Sequence, residues 1–247
     1  MAAALVIAAS DWRFATAAYG ALGIAVAGLA FLAMRALGAG DPPARARGAA
    51  RPAFRGGWGI TDRRGFGALA AIGIVDSAVR TGFLTFLPFL LQDKGADVAT
   101  IGVALGLAFA GGASGKFLCG LLAERAGILR TVIVTELATA LGILVLLPVP
   151  LLAALAILPL LGAALNGTSS VLYASVAEFV AAERRSRGFG LFYTLGIGSS
   201  AVAPFAFGVI SDLASITTAL VVVALLVTAT LPLTLLLRAP LAGAARE

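Results

Sequence analysis

The chain has 247 residues, 60% of them hydrophobic and 12% charged, and a formal net charge of +6. So little polar surface excludes a soluble globule of this length. With no period-2 alternation to build a spanning barrel, the sequence predicts an all-α integral membrane protein. The absence of histidine excludes imidazole metal ligation, general-base catalysis and proton relay, and the single cysteine, Cys119, allows no internal disulfide and reads as a small packing residue.

The first ten residues, MAAALVIAAS, are apolar but too short to span, and they lack the basic start of a signal peptide. They read as the last turns of a helix whose beginning is missing, so a truncated chain is the expectation. Seven spans follow, at 14–37, 65–91, 100–122, 131–147, 151–180, 189–210 and 216–237. Segments of roughly 20 apolar residues suit a hydrocarbon core about 30 Å thick at about 1.5 Å per residue. The one long connection, 38–64, is rich in Pro, Gly, Ala and Arg; Pro42, Pro43 and Pro52 oppose a continuous helix there, and it reads as a flexible linker. The organisation is therefore a helix end and one span in 1–37, a basic linker in 38–64, a block of six spans in 65–238 and a tail in 239–247.

Charge alternates between the two sets of loops. One set carries Arg45, Arg47, Arg51, Arg55, Arg63 and Arg64 after the first span, Arg125 and Arg130 after the third, Arg184, Arg185 and Arg187 after the fifth, and Arg238 and Arg246 at the end. The opposite loops hold only Arg13 and Lys94 as bases, beside Asp11, Asp93, Asp97 and Asp212. The positive-inside rule makes the first set cytoplasmic, which puts the amino terminus outside and the carboxy terminus in the cytoplasm of a multi-pass inner (plasma) membrane protein. The basic residues are then topology signals in contact with the lipid bilayer, and nucleic acid is not expected as a partner. Residues 45–64 have a second potential role at anionic headgroups.

Inside the spans, Asp76 and Arg80 lie one turn apart and share a helix face. Asp76 is eleven residues past Gly65 (76 − 65), roughly 17 Å into the bilayer. Intramembrane charges cost at least ~2.5–3.5 kcal/mol each, so they face an aqueous cavity or a partner. Two readings stand: a self-neutralising pair that locks the helix, or a pair in which Arg80 holds an anionic group of a substrate while Asp76 accepts a proton or remains its counter-ion. Phe83 and Leu87 continue the same face as an apolar wall beside the charges. Glu136 is a second buried acid, in the fourth span. In the fifth, Asn166, Ser170 and Tyr173 recur at i, i+4 and i+7 as a polar stripe, either lining a cavity or bonding between helices. Small residues recur at Gly102, Gly106, Gly111 and Gly115 in the third span, and at Gly196, Ser200, Pro204, Gly208 and Asp212 in the sixth, as faces for close helix contact.

Two cytoplasmic turns carry the most specific pattern. GLLAERAG follows the third span, and LYASVAEFVAAERRSRGFG closes the fifth and opens the sixth. A basic linker, six further spans and these turns resemble the carboxy-terminal half of a major facilitator superfamily transporter. The family's turn has the form G-x-x-x-D-R-x-G followed by bases; Gly120, Glu124, Arg125 and Gly127 match it with Glu in place of Asp, and the following base is displaced to Arg130. Glu178 and Arg187 stand at the places expected for the turn after helix ten. The resemblance implies that the first span is helix six and the rest are helices seven to twelve, a half bundle of two inverted three-helix repeats. It also implies that Asp76, Arg80, Asn166 and Tyr173 line the central cavity, and that Glu136 lies on a peripheral helix. Glu124 and Glu178, amid Arg125, Arg130, Arg184, Arg185 and Arg187, are then candidates for a cytoplasmic gate of breakable ion pairs. The plainer alternative is solvated charges worth about 0–1 kcal/mol a pair.

No G-x-S-x-G or P-loop pattern is present, so neither an enzyme nor a cofactor or metal is expected. The expected function is secondary active transport of a small solute by alternating access, coupled to protons, in a chain lacking its amino-terminal half. That half, or a second copy, is the expected partner. A half-size or non-transporting interaction protein is the alternative. GFGLFYTLGIGSSAVAP weakly resembles drug-efflux members such as the fosmidomycin-resistance group, and also metabolite permeases, which leaves efflux against uptake open.

Overall fold

The computed structural model describes residues 12–36 and 57–244. The run MAAALVIAAS and linker residues 37–56, on which the cut-helix and flexible-linker readings rest, lie outside the described residues, as do residues 245–247. The chain divides into two units, one ending at Gly57 and one beginning at Trp58. The first contributes α1, Trp12–Ala36, an apolar helix whose described side chains are all exposed.

The second unit is a helical bundle, since a backbone inside lipid must satisfy its hydrogen bonds within its own segment. Asp62 caps α2 (Arg63–Asp93), its Oδ1 accepting from the Arg64 amide at 2.9 Å. Asp97 caps α3 (Val98–Ala126) through the Thr100 amide at 2.8 Å. Next come α4 (Ile128–Leu146) and α5 (Leu151–Ser175), two 3₁₀ turns at Val176–Phe179 and Ala182–Arg184, and α6 (Arg185–Leu213). The last span is two helices, α7 (Ile216–Thr228) and α8 (Thr230–Ala244). Among the described residues seven stretches are long and apolar enough to cross a membrane.

Three boundaries differ from the sequence reading. GLLAERAG is not a loop: α3 continues to Ala126 and the chain reverses at Gly127 alone, with φ of +85°, a conformation that suits glycine. The Gly127 amide donates to Ala123 at 3.0 Å, and its carbonyl accepts from the Thr131 amide at 3.2 Å and hydroxyl at 2.9 Å. The last span is interrupted at Ala229, because Pro232 has no N–H for the Thr228 carbonyl and its ring crowds that group. The end of the linker is held in place: Ile60 bridges Val180, the Thr61 amide donates to Phe179 at 3.0 Å, and the Ala181 amide donates to Gly59 at 2.9 Å.

Packing fixes how the helices face one another. Cβ atoms added at Gly111 or Gly115 would overlap the Pro159 or Ala163 carbonyl of α5, and one at Gly167 would overlap the Cys119 thiol. The contact advances four residues along both helices at each step, so α3 and α5 run parallel and in register. On the other side Gly73 lies against Phe192, and Gly82 against Phe207, which pairs α2 with α6 in parallel. Lipid gives helices no hydrophobic reason to associate, so these backbone approaches carry much of the packing energy. At the opposite end from Gly127, Lys94 Nζ donates to the Leu147 and Val149 carbonyls at 2.7 and 2.6 Å. A residue read from sequence as a topology marker thus ties the α2–α3 turn to the α4–α5 turn.

The apolar interior forms two clusters. One, toward Lys94, contains Phe83, Leu87, Ile143, Leu158, Phe207 and Val223. The other, toward Gly127, contains Phe66, Leu69, Val132, Leu172, Phe179 and Phe192. Between them lies a layer of buried polar side chains: Asp76 and Ser77 on α2, Thr135, Glu136 and Thr139 on α4, Thr168 and Ser169 on α5, and Thr230 and Thr234 on α8.

Replacing Gly111 by Leu is expected to separate α3 from α5 and to abolish a monodisperse folded species in detergent, read by size-exclusion chromatography and circular dichroism. Lys94→Met is expected to lower unfolding stability in micelles by about 1.5–3 kcal/mol, the worth of hydrogen bonds to a charged group; unchanged stability would remove the latch role.

Candidate functional site

The polar layer owes its position to α2. Asp76 is thirteen residues past Arg63 (76 − 63), about 20 Å along the helix axis, and the next turn brings Arg80 back over it. Arg80 Nη1 stands 3.7 Å from Asp76 Oδ2, and Nη2 donates to Ser77 Oγ at 3.4 Å. The Asp76 side chain is 6% exposed and that of Arg80 22%, so the guanidinium is the more open member of the pair. Helix α6 reaches this turn through its small face: a Cβ on Gly196 would come within 3.0 Å of Ser77 Oγ, and Ser200 Oγ donates to the Ser77 carbonyl at 3.2 Å.

Helix α5 brings Tyr173 to the same place. Its ring meets Phe192 edge-on with centroids 5.2 Å apart and lies 6.1 Å from Tyr193, and the phenol is near enough to Arg80 and Asp76 to feel both charges. One turn and a half earlier, Thr168 Oγ1 donates to Thr135 Oγ1 at 2.8 Å and joins α5 to α4. The residue after Thr135 is Glu136, buried at 2% exposure. Glu136 Oε1 has no hydrogen-bond partner among the described residues.

Residues 69–246 match the family model described as Major Facilitator Superfamily, a match that begins in α2 and takes in every span after it. The chain belongs to the major facilitator superfamily. No curated protein matches it. Membership makes the chain a multi-pass membrane protein of a family of transporters.

Within this superfamily member the sequence-derived site residues divide. Asp76, Arg80 and Tyr173 come together. Asn166 and Ser170 lie on the seam with α3: Asn166 packs over Gly112 and donates to the Gly162 carbonyl at 3.2 Å, and Ser170 Oγ donates to Gly167 at 2.7 Å and to the Lys116 carbonyl at 3.4 Å. Both are half-buried, with hydroxyl or amide directed at backbone. Phe83 is corrected: it is fully buried in the cluster toward Lys94, because Gly82 lets Phe207 of α6 close over that turn, and Leu87 is enclosed with it. Neither forms an open wall beside the charges.

The gate residues collect at the Gly127 end. Gly120 faces open space, Glu124, Arg125, Arg130 and Glu178 are exposed, and Arg187 is half-buried. Among the described residues, Glu124, Arg125, Arg130 and Glu178 form no ion pair with one another. The sequence reading passed over Lys116, exposed on α3 one turn beyond Gly112 and therefore on the side that meets Asn166. Its signal was available, as a lysine ten residues inside the end of an apolar helix (126 − 116). The signal for Glu136 was its period: Val132, Glu136, Ala140 and Ile143 form the core stripe of α4.

Phe83→Ala is expected to cost stability, on the order of 3–5 kcal/mol in a close-packed core, and to leave the affinity of the folded protein for its substrate within twofold of wild type, read by unfolding in micelles beside a binding titration. A selective loss of affinity at unchanged stability would return Phe83 to the site.

Proposed function

We propose that the chain acts as a secondary active transporter of a small solute, working by alternating access and coupled to protons, with its six-span bundle as one half of the carrier. The observation that carries this reading is the Asp76–Arg80 pair in mid-helix, inside a chain of a transporter family. A charge pair kept only for stability is better served by close, saturated hydrogen bonding, with N⁺···O⁻ near about 2.7–2.9 Å. Here the separation is 3.7 Å and the guanidinium is partly open. Arg80 is placed to take an anionic group of a solute, Asp76 to serve as its counter-ion or take a proton, and Tyr173 to flank both. Asn166 and Ser170 continue the polar face along α5, with Lys116 across the seam.

The charge distribution supports an orientation. Arg125, Arg130, Arg184, Arg185 and Arg187 all belong to the Gly127 end, which the positive-inside rule assigns to the cytoplasm of the plasma membrane, with the amino terminus outside and the carboxy terminus inside. At that end Gly120, Glu124, Arg125, Gly127, Arg130, Glu178 and Arg187 form the gate, the exposed Glu124, Arg125, Arg130 and Glu178 pairing with a second bundle in the inward-closed state. The second bundle is an amino-terminal half or another copy.

The test is uptake into proteoliposomes over a panel of drugs and organic anions, with and without a pH gradient, for the chain alone and for the chain produced with any helices encoded upstream. Gradient-driven uptake is expected in a form containing two bundles, falling to the level of protein-free liposomes in Asp76→Asn and Arg80→Gln. Full transport and unchanged pH dependence in both variants would overturn the assignment. Uptake in no form would favour an interaction protein over a carrier.

A further inference from the structure

We propose that helix α6 positions the Arg80 guanidinium through Ser77, and that the register of α6 on α2 thereby sets whether Arg80 stands open or closes on Asp76. The inference rests on the reading of Arg80 as the group that takes an anionic part of a solute, and deepens it by naming what holds that group ready.

Arg80 is divided between two residues of the preceding turn. Its Nη2 donates to Ser77 Oγ at 3.4 Å, while Nη1 stands 3.7 Å from Asp76 Oδ2. A guanidinium and a carboxylate left to themselves close to about 2.7–2.9 Å, often through two parallel bonds. The Ser77 hydroxyl is the acceptor that keeps one arm of the fork away from Asp76, and with one arm held the other does not close.

Ser77 is buried and is itself held from α6. Ser200 Oγ donates to its carbonyl at 3.2 Å, and a Cβ on residue 196 would come within 3.0 Å of its Oγ, so the hydroxyl has its place because residue 196 is glycine. On either side of this grip the Phe192 ring fills the notch at Gly73 and the Phe207 ring fills the notch at Gly82, and both rings are buried. The contacts at Gly73 and Ser77 advance by four residues on both helices (73 to 77, 192 to 196), which is about one turn. An axial shift of α6 has to unseat both rings, so together they fix the register in which Gly196 and Ser200 meet Ser77.

Arg80 therefore has two positions, and α6 selects between them. With both rings seated, the guanidinium is shared between Ser77 and Asp76 and stays partly open to a solute. A slide of one turn in either direction brings Phe192 or Ser200 to the place of Gly196, and either Cβ displaces the Ser77 hydroxyl. Both guanidinium arms then turn to Asp76, and the pair becomes self-neutralised, with neither member offered to a solute. Gly196 and Ser200 are positioning residues that act on Arg80 through Ser77.

The experiment reads the guanidinium directly and needs no substrate: the full chain in lipid nanodiscs is treated with phenylglyoxal at one fixed pH, and modification of Arg80 is counted by peptide mass spectrometry against the exposed Arg63 and Arg185. Ser77→Ala is expected to lower Arg80 modification roughly three- to tenfold, the shift in population that one hydrogen bond of ordinary strength controls. Gly196→Val is expected to lower it likewise, and Ser77→Thr, which keeps the hydroxyl, to match wild type. Adding Asp76→Asn to Ser77→Ala is expected to restore the modification, because no carboxylate is left to close on. A general loosening of the bundle acts the other way and raises reactivity. Higher Arg80 modification in Ser77→Ala, protection that survives Asp76→Asn, or wild-type modification in Gly196→Val would each overturn the proposal. If Gly196→Val does not fold, by circular dichroism, Gly196→Ala takes its place, since its Cβ already reaches the hydroxyl. Failure of transport with the modification pattern intact would count against the transporter reading and not against the positioning of Arg80.

Discussion

Lipid cannot donate or accept a hydrogen bond, and the arrangement of this bundle follows from that constraint. Each span must be a helix, each cap and turn must close its own backbone groups, and each polar side chain must find a partner in the protein. The caps at Asp62 and Asp97, the self-satisfied reversal at Gly127 and the Lys94 latch on the α4–α5 turn are local answers to it. The threonines of the interior give the same answer one residue at a time: Thr135, Thr168, Thr230 and Thr234 each donate to a carbonyl of their own helix or to one another.

The constraint also makes the exceptions informative. Two apolar clusters, which interdigitate as any close-packed interior does, are separated by buried polar side chains that include Glu136 and the Asp76–Arg80 pair. A bundle selected for stability alone would fill this layer with Leu and Ile, because buried charges seldom stabilise relative to apolar residues of the same volume. That it is kept polar, at mid-depth and beside a partly open guanidinium, is what connects the packing to transport. The small faces of α3, α5 and α6 serve the same end, since only glycine and serine let the helices bring their polar groups within reach across the layer.

Much of this was legible in the sequence. Seven spans emerged from apolar run length, and their positions agree with the helices to within a few residues, because span length is set by bilayer thickness and not by neighbours. The Asp76–Arg80 pair was legible too, since i and i+4 share a face on any helix. GLLAERAG was misread as a loop because a charged, glycine-bounded segment looks like a turn, yet only Gly127 leaves the helix. Glu136 was read as a buried acid, as it is, whereas the enclosure of Phe83 was not legible in its own helix. Phe83 follows Asp76 along α2 but is closed in by Phe207 from a helix more than a hundred residues away (207 − 83), and Glu136 is on a different helix from Asp76.

The sequence by itself determined the class of protein, the number of spans, the charged ends and the superfamily pattern, all properties of composition and of order along one chain. Only the tertiary structure decided which polar groups share a depth and a face. Helix rotation and axial shift depend on contacts such as Gly111 with Pro159 and Gly73 with Phe192, between residues distant in sequence, and no periodicity within a single helix encodes them.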